Sequence, residues 1–188
     1  MSAFQYFELP PPRSWEQFEE LCADLFEAAW NDPALVRHGR AGQRQSGVDI
    51  VGRQGSRYPV GLQCKKKARW PVQQLTIREI DQEINEAKAF TPALQTFYLL
   101  TTAIDDERLQ QHIRSINERH KESGHFDVVL LGWSEIARRV HTISVSGSSR
   151  CKSLTCAYES SPWLNGTKTR GRFPPSPPDK VLCTISGR

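Results

Sequence analysis

The sequence predicts an α/β domain with a mixed β-sheet flanked by helices, and three observations indicate this class. Several segments repeat apolar residues with helical spacing. Two extended segments follow one another across a short polar connection, as antiparallel strands do. Two later segments are almost entirely apolar, as expected of strands covered on both faces. The predicted order α-β-β-β-α-β-α-β-α then gives a mixed sheet with helices packed on its faces.

The first helix is predicted in "RSWEQFEELCADLFEAAW", residues 13–30, with Ser14 as its N-cap. Its buried side is expected to carry the apolar residues that recur with helical spacing, Trp15, Phe18, Cys22, Leu25 and Ala29. After the turn signal "NDP", the stretch "ALVRHG" predicts a short strand and "RAGQRQSG" predicts a loop. Next, "VDIVG" and "YPVGLQCKKK" are predicted as two antiparallel strands joined by "RQGSR".

The rest of the domain alternates helices and strands. Thr76 and Glu79 form a predicted capping box at the start of the helix "IREIDQEINEAKAF". The buried stripe of this helix is expected to consist of Ile77, Ile80, Ile84 and Ala87. The apolar strand "QTFYLLTT" follows, and Asp105 or Asp106 is expected to cap the helix "ERLQQHIRSINERHKE". The second apolar strand is "FDVVLLGW", after which Ser134 is expected to cap the short helix "EIARRV".

One domain is expected over residues 1–143, followed by a low-complexity tail over residues 144–188. Of the 45 tail residues, 22 are Ser, Thr, Pro or Gly, so the tail cannot offset its ordering entropy and is predicted to be disordered. The tail holds 7 Lys and Arg against 2 Asp and Glu, a net of +5, whereas 18 against 19 give the domain −1. The tail is either a nonspecific nucleic-acid tether or a solvated chain end without a role.

The composition predicts a cytoplasmic protein without a membrane partner. No stretch reaches the roughly 18 to 20 consecutive apolar residues of a membrane span. The first residues, "MSAFQYFELPPPRSW", lack the basic and apolar regions of a signal peptide. The five cysteines are an odd number without a CxxC pair, which indicates reduced thiols rather than a disulfide framework or a zinc site.

Residues 35–70 form a local cationic region. They contain nine Lys or Arg residues and a single acidic residue, Asp49. A cationic surface around one carboxylate suits a polyanionic ligand that is held near a metal ion.

Strand alternation predicts a polar cluster on the two antiparallel strands. In the second of these strands one face carries Val60, Leu62 and Cys64, and the other carries Gly61, Gln63 and Lys65. In the first strand the same rule sends Val48 and Ile50 into the core and Asp49 to the opposite side. If the strands are neighbours, Asp49, Gln63 and Lys65 converge on one sheet surface. Taken singly, these residues would also suit a strand end and a solvated face.

The first helix offers a fourth polar residue. Glu19 lies about 40° from Trp15 around the helix, on its inward side. The other acids of the helix, Glu16, Glu20, Asp24 and Glu27, are expected to face solvent. An inward carboxylate is costly unless it pairs with a cation or a metal ion.

The stretches "FEELCADLF", "RAGQRQSGVDIVG" and "VGLQCK" resemble the PD-(D/E)XK nuclease superfamily, specifically its Mrr-like restriction endonucleases. The resemblance extends with matching element order over roughly residues 14–142 and implies a restriction-endonuclease-like fold. Gln63 departs from the commoner pattern of the superfamily, which has Asp or Glu there, and is similar to the Mrr-like branch. The tail has no counterpart in the resemblance.

The resemblance implies a divalent-cation site. Asp49 would be the principal ligand of Mg²⁺ or Mn²⁺, with the Gln63 side-chain oxygen, the backbone carbonyl of Cys64 and, through water, Glu19. Lys65 would orient or help deprotonate the attacking water and offset charge in the transition state. Because Gln63 is uncharged, weaker metal binding and greater dependence on Asp49 are expected.

Further residues are expected to contact nucleic acid. They are Arg40, Gln43 and Gln45 in the loop before Asp49, and Lys66, Lys67 and Arg69 after Lys65. A generally cationic surface without specific contacts is the other interpretation of these residues.

The implied function is a Mg²⁺-dependent endonuclease that acts on DNA in bacterial defence against foreign DNA. Such domains are usually joined to a sensor or motor, so a separate protein of that kind is an expected partner. A homodimer would supply two sites for cutting both strands. Two alternatives stay open: a nucleic-acid-binding module on the same fold without chemistry, which neutral Gln63 favours, and an RNA-directed or junction-resolving enzyme.

Overall fold

The computed structural model describes residues 9–38 and 46–145, which form four helices and five strands. In chain order the elements are α1 (Trp15–Trp30), β1 (Val36–Arg37), β2 (Ile50–Gln54), β3 (Arg57–Lys65), α2 (Ile77–Ala87), β4 (Thr96–Thr101), α3 (Glu107–Ser123), β5 (Asp127–Leu131) and α4 (Trp133–Val145). This is the predicted order of elements, and the predicted α/β class is confirmed.

The five strands form one mixed sheet whose spatial order is the chain order, β1-β2-β3-β4-β5. The pairs β1–β2 and β2–β3 are antiparallel, whereas β3–β4 and β4–β5 are parallel. The two strands predicted as antiparallel neighbours are β2 and β3, with Ile50 opposite Leu62. The connections β3–α2–β4 and β4–α3–β5 each join parallel neighbours and run in the same direction across the sheet. Because such connections have the same hand, α2 and α3 lie on the same face of the sheet.

Each face of the sheet has its own hydrophobic core. The α2–α3 core includes Ile80 and Ile113. The α1–α4 core includes Phe18 and Ile136. All 6 residues of β4 are buried because this strand lies between the two cores, as its apolar sequence predicted.

Local capping determines where three of the helices begin. Ser14 and Gln17 form a capping box at α1, and Thr76 and Glu79 form the predicted one at α2. At α3 the N-cap is Asp106, whose Oδ1 accepts from two N–H groups of the first turn.

The prediction that Ser134 caps the last helix is wrong. α4 begins at Trp133, two residues before the predicted first helical residue Glu135, so Ser134 lies inside the helix. The N–H of Ile136 donates to the carbonyl of Gly132 at 3.1 Å. The N–H of Gly132 in turn donates to Oδ1 of Asp105 at 3.2 Å. Asp105, the alternative predicted cap of α3, therefore binds the chain just before α4.

The far end of α4 also differs from the prediction. The helix continues past residue 140, where "EIARRV" ends, and includes residues 144 and 145 of the expected tail. The rest of the predicted tail, residues 146–188, lies outside the described residues. Across the described ranges, every helix is too short or too polar to span a bilayer.

Three residues predicted to lie in buried helical stripes are exposed. They are Trp15 and Ala29 in α1 and Ile77 in α2. Each stands in a terminal turn of its helix, and the buried residues of both stripes lie further inside, for example Phe18 and Ile80.

Candidate active site

Asp49 directly precedes β2 and is held by three hydrogen bonds. Its N–H donates to the carbonyl of Leu62 at 2.8 Å, and its own carbonyl accepts from the N–H of His38, which follows β1. Its carboxylate Oδ2 accepts from the N–H of Cys64 in β3 at 2.7 Å. Because Cys64 is the middle residue of the Gln-x-Lys stretch, this bond joins the aspartate directly to the polar end of β3.

Val48 and Ile50 do not share a face of the sheet, contrary to the prediction. Both are fully buried, but Val48 belongs to the α2–α3 core and Ile50 to the α1–α4 core. Strand alternation does not extend to Val48 because the pairing of β2 with β3 begins at Ile50, after positive φ angles at Ser46 and Gly47. Asp49 therefore lies at the end of the β2–β3 pair. Its carboxyl interacts electrostatically with Glu19 on the α1 side of the sheet and with Lys65 and Glu83 on the α2 side.

The alternation predicted for β3 is present. Val60 and Leu62 belong to the α1–α4 core, and Cys64 packs against it. Lys65 is on the opposite face, where its ammonium binds a glutamate of α2. Gln63 shares that face by the two-residue period of the strand.

Gln63 has a polar atom whose hydrogen-bonding capacity is unused. Among the described residues, Oε1 of Gln63 is the one buried side-chain oxygen or nitrogen atom that has no hydrogen-bond partner. The residue is only 8% exposed. Leaving such an acceptor unpaired costs about 1–3 kcal/mol, and a bound cation is one group that would satisfy it.

The partner of Lys65 is Glu83, which was not among the predicted site residues. The Nζ of Lys65 lies 2.6 Å from Oε1 of Glu83, and the two side chains are 32% and 7% exposed. A signal was present in the sequence, because Glu83 occupies a position between Ile80, Ile84 and Ala87 in the buried stripe of α2. Only its charge excluded it from the predicted stripe.

Glu19 faces inward from α1, as predicted. Its side chain is 17% exposed, and its Oε1 lies 3.9 Å from Nε of Arg37 in β1. Burial raises the pKa of the Glu19 carboxyl, while Arg37 lowers it and Glu16 raises it. The negative charge of Glu19 is in turn one of the charges that act on Asp49.

The carboxyl of Asp49 has a strongly perturbed pKa, raised from an ordinary 3.8 to about 6. Burial is the largest cause, and the hydrogen bond from Cys64 opposes it. Glu19 and Glu83 raise the pKa further, whereas Lys65 lowers it. The charges of α1, α2 and β3 therefore meet at this one carboxylate.

The thiol of Cys64 is directed away from the polar side of β3. A hydrogen bond with Cys22 and burial both raise its pKa, so it is a neutral thiol. Cys22 and Cys64 are both free thiols, and the other three cysteines lie outside the described residues. Cys64 therefore offers the site its backbone and not its sulfur.

Asp49 and the residues at the end of β3 carry oxygen atoms of the kind that hard divalent cations bind. They are the Asp49 carboxylate, Oε1 of Gln63 and the carbonyl of Cys64, which points to the same edge of β3 as its N–H. Within residues 9–38 and 46–145, no group of three or more His, Cys, Asp or Glu side chains could hold a metal ion. A site here would thus depend on amide and carbonyl oxygens.

The residues predicted to contact nucleic acid have different outcomes. Arg40, Gln43 and Gln45 lie outside the described residues. Lys66 is partly exposed and Arg69 is exposed. Lys67, in contrast, has a side chain only 12% exposed, and its ammonium binds Glu79 of α2. The positive charge of Lys67 is therefore already paired with a carboxylate within the fold.

A mixed sheet that presents an aspartate beside a Gln-x-Lys strand end is the architecture of a restriction-endonuclease-like nuclease. Residues 13–124 match the family model Mrr_cat, described as restriction endonuclease, and the chain belongs to this family. This confirms the resemblance noted in the sequence.

Comparison with solved structures finds a likeness to the MspJI restriction endonuclease in complex with a 27-mer oligonucleotide. The identity is 18%, the TM-score is 0.46, and the match covers 74% of this chain. The chain spans only 31% of that protein. Comparison with curated proteins gives no significant match.

Proposed function

We propose that this protein is a divalent-metal-dependent endonuclease that hydrolyses phosphodiester bonds in DNA. The observation that carries the proposal is the 2.7 Å hydrogen bond between the Asp49 carboxylate and the N–H of Cys64. It brings the acid that precedes β2 to the Gln-x-Lys end of β3. Membership of a restriction endonuclease family supports the same chemistry.

In this proposal Asp49, Oε1 of Gln63 and the carbonyl of Cys64 hold Mg²⁺ or Mn²⁺, with Glu19 acting through a water molecule. The ion would polarise the phosphate and lower the pKa of a bound water. Asp49 contributes the only full negative charge among the three direct ligands. The affinity of the site therefore depends mainly on Asp49.

Lys65 acts as a cation at the reacting phosphate. Its ammonium is held in an ion pair with Glu83 and has remaining N–H groups that can donate. Donation to a phosphate oxygen offsets the charge that develops there, and donation to the attacking water orients it. Of the two roles that the resemblance implied, the ion pair favours charge stabilisation over proton abstraction.

The segment after β3 is proposed to contact the DNA beside the cut. Lys66 and Arg69 supply positive charge, and Trp70 is 89% exposed. Cations bind phosphate oxygens, and an exposed indole ring stacks on bases. In the same proposal the residues Arg40, Gln43 and Gln45 contact DNA from the loop before Asp49.

A role in bacterial defence against foreign DNA completes the proposal. In this proposal the protein is cytoplasmic and works with a separate sensor or motor protein, which would choose the DNA that the nuclease domain cuts. Dimerisation would bring two sites to the two strands of a duplex.

The direct test is nicking of a supercoiled plasmid with and without Mg²⁺. The wild-type protein is expected to cut only with the metal, and Asp49→Ala and Lys65→Ala are expected to leave the plasmid intact. An inert wild-type protein, or variants that cut as well as wild type, would refute the proposal. DNA binding that is equal with and without Mg²⁺ and leaves the plasmid intact would indicate the binding module that the neutral Gln63 favours.

A further inference from the structure

Glu83 is a buried acid that the roles proposed above leave unexplained. Its neighbours in the α2 stripe, Ile80, Ile84 and Ala87, are all buried, so an apolar residue at 83 would complete the core. A buried ion pair is often no more stabilising than well-packed apolar residues. The stability of the fold therefore gives no reason for the Lys65–Glu83 pair.

A second ion pair lies beside the first and provides a comparison. Lys67, two residues after Lys65, binds Glu79. Glu79 lies one helical turn before Glu83, the partner of Lys65, on α2. The two pairs form a ladder between α2 and the end of β3. They differ in their relation to the site, because Lys65 directly follows Cys64, whose N–H binds the Asp49 carboxylate, whereas Lys67 lies two residues further along the chain.

The backbone of Glu83 also contacts the chain that leads to Asp49. A Cβ atom added to Gly47 would lie 3.3 Å from the carbonyl oxygen of Glu83 and 3.0 Å from Cβ of Glu86. Gly47 also has a φ of 64°, which favours glycine. α2 is therefore packed against the approach to Asp49 at the same residue that binds Lys65.

We infer that Glu83 is a positioning residue of the nuclease site: its carboxylate holds the Lys65 ammonium beside Gln63 and Asp49. This inference rests on the proposed function. Lys65 has a long flexible side chain, and the ion pair restricts it to the side of β3 that faces the site before DNA binds. Glu83 touches neither substrate nor metal in this role.

The test compares Glu83→Gln with Glu79→Gln in the full chain. Both variants remove one carboxylate from the ladder and leave one lysine without its partner. Gln at position 79 can still complete the capping box with Thr76, so the start of α2 is preserved. Plasmid nicking is measured for kcat, for KM and for the Mg²⁺ concentration at half-maximal rate, and the melting temperature is recorded for each protein.

Glu83→Gln is expected to lower kcat by roughly 10- to 100-fold, because misplacement of a catalytic group by about 1 Å has effects of this size. KM and the Mg²⁺ midpoint are expected to change by less than about twofold, since no binding group is removed. Glu79→Gln is expected to keep kcat within about twofold of wild type. If Glu83→Gln does not fold, Glu83→Asp, which withdraws the charge by one methylene, must lower kcat without a matching change in KM.

Three results would overturn the inference while the proposed function stands. They are an unchanged kcat in a folded Glu83→Gln protein, equal losses of kcat in Glu83→Gln and Glu79→Gln, and a raised Mg²⁺ midpoint with full kcat at saturating metal. The last result would make Glu83 a metal ligand. An inert wild-type protein would instead refute the proposed function itself.

Discussion

The N–H of Cys64 donates a hydrogen bond of 2.7 Å to the carboxylate of Asp49, across a separation of 15 residues in the chain. The bond uses one carboxylate oxygen and directs the Cys64 carbonyl toward the same edge of β3. Gln63 and Lys65 flank Cys64 and face α2. The candidate site is therefore built around the backbone of Cys64. The charges that act on Asp49 come from three elements, α1, β3 and α2.

Replacing Gln63 by leucine is expected to stabilise the metal-free protein and to weaken metal binding. The change removes a buried oxygen without a partner, so the free energy of unfolding should rise by about 1 kcal/mol. It also removes a proposed ligand. Urea unfolding in a chelator and Mg²⁺ titration of nicking measure the two effects.

Gln54→Leu is the matched control for that stability measurement. The Oε1 of Gln54 accepts from the hydroxyl of Tyr98 at 3.2 Å, so this substitution leaves a donor unpaired and should not stabilise the protein. Equal changes in the free energy of unfolding of the two leucine variants would contradict the interpretation that the Gln63 oxygen is buried without a partner.

Replacing Gln63 by glutamate is expected to tighten metal binding. A second negative ligand beside Asp49 should lower the Mg²⁺ midpoint by about tenfold. Without metal, repulsion between the added charge, Asp49 and Glu19 should lower the melting temperature. Gln111→Glu adds the same charge at an exposed position of α3 and should change neither quantity. An unchanged midpoint in the Gln63→Glu protein would argue against Gln63 as a ligand.

The raised pKa of Asp49 predicts a specific pH dependence of stability. Between pH 3.8 and about 6 the folded protein keeps a proton that the unfolded chain has lost, so the stability of the metal-free wild type falls as pH rises through this window. Compared with Asp49→Asn, the wild type should lose up to about 3 kcal/mol between pH 4 and pH 7.

Denaturant unfolding at several pH values in a chelator measures this difference. The control is Asp106→Asn, which removes an exposed carboxylate but leaves a residue that caps α3 equally well. Parallel stability curves for wild type and Asp49→Asn would show that the Asp49 carboxyl is not perturbed. With metal present, apparent affinity should rise as pH rises through about 6, because the ligand must lose its proton.

Trp70→Ala is expected to weaken DNA binding by about tenfold, since a base stacked on an aromatic side chain contributes roughly 1–3 kcal/mol. The control is Tyr58→Ala at the opposite end of β3, where an exposed ring lies 4.6 Å from the Arg53 guanidinium. Fluorescence anisotropy with a labelled oligonucleotide at constant salt measures both. A similar affinity for Trp70→Ala and wild type would place the DNA elsewhere.

Much of the fold could be predicted because it depends on local patterns. Capping residues such as Ser14 and Thr76 act within one helical turn, and the alternation in β3 follows from the two-residue period of any strand. The inward position of Glu19 followed in the same way from helical spacing. The errors occur at the ends of elements. Alternation was extended past the start of β2 to Val48, and Ser134, predicted as a cap, lies inside α4.

The sequence by itself determined the order of elements and the strand pair β2–β3, and it predicted the polar set Glu19, Asp49, Gln63 and Lys65. Only the tertiary structure decided how the charges are paired, with Lys65 on Glu83 and Lys67 on Glu79. These partners are 18 and 12 residues apart in the chain, so no helical or strand period relates them. Their contact arises because the α2–α3 core packs α2 against the sheet, which brings a buried glutamate to the lysine of the site.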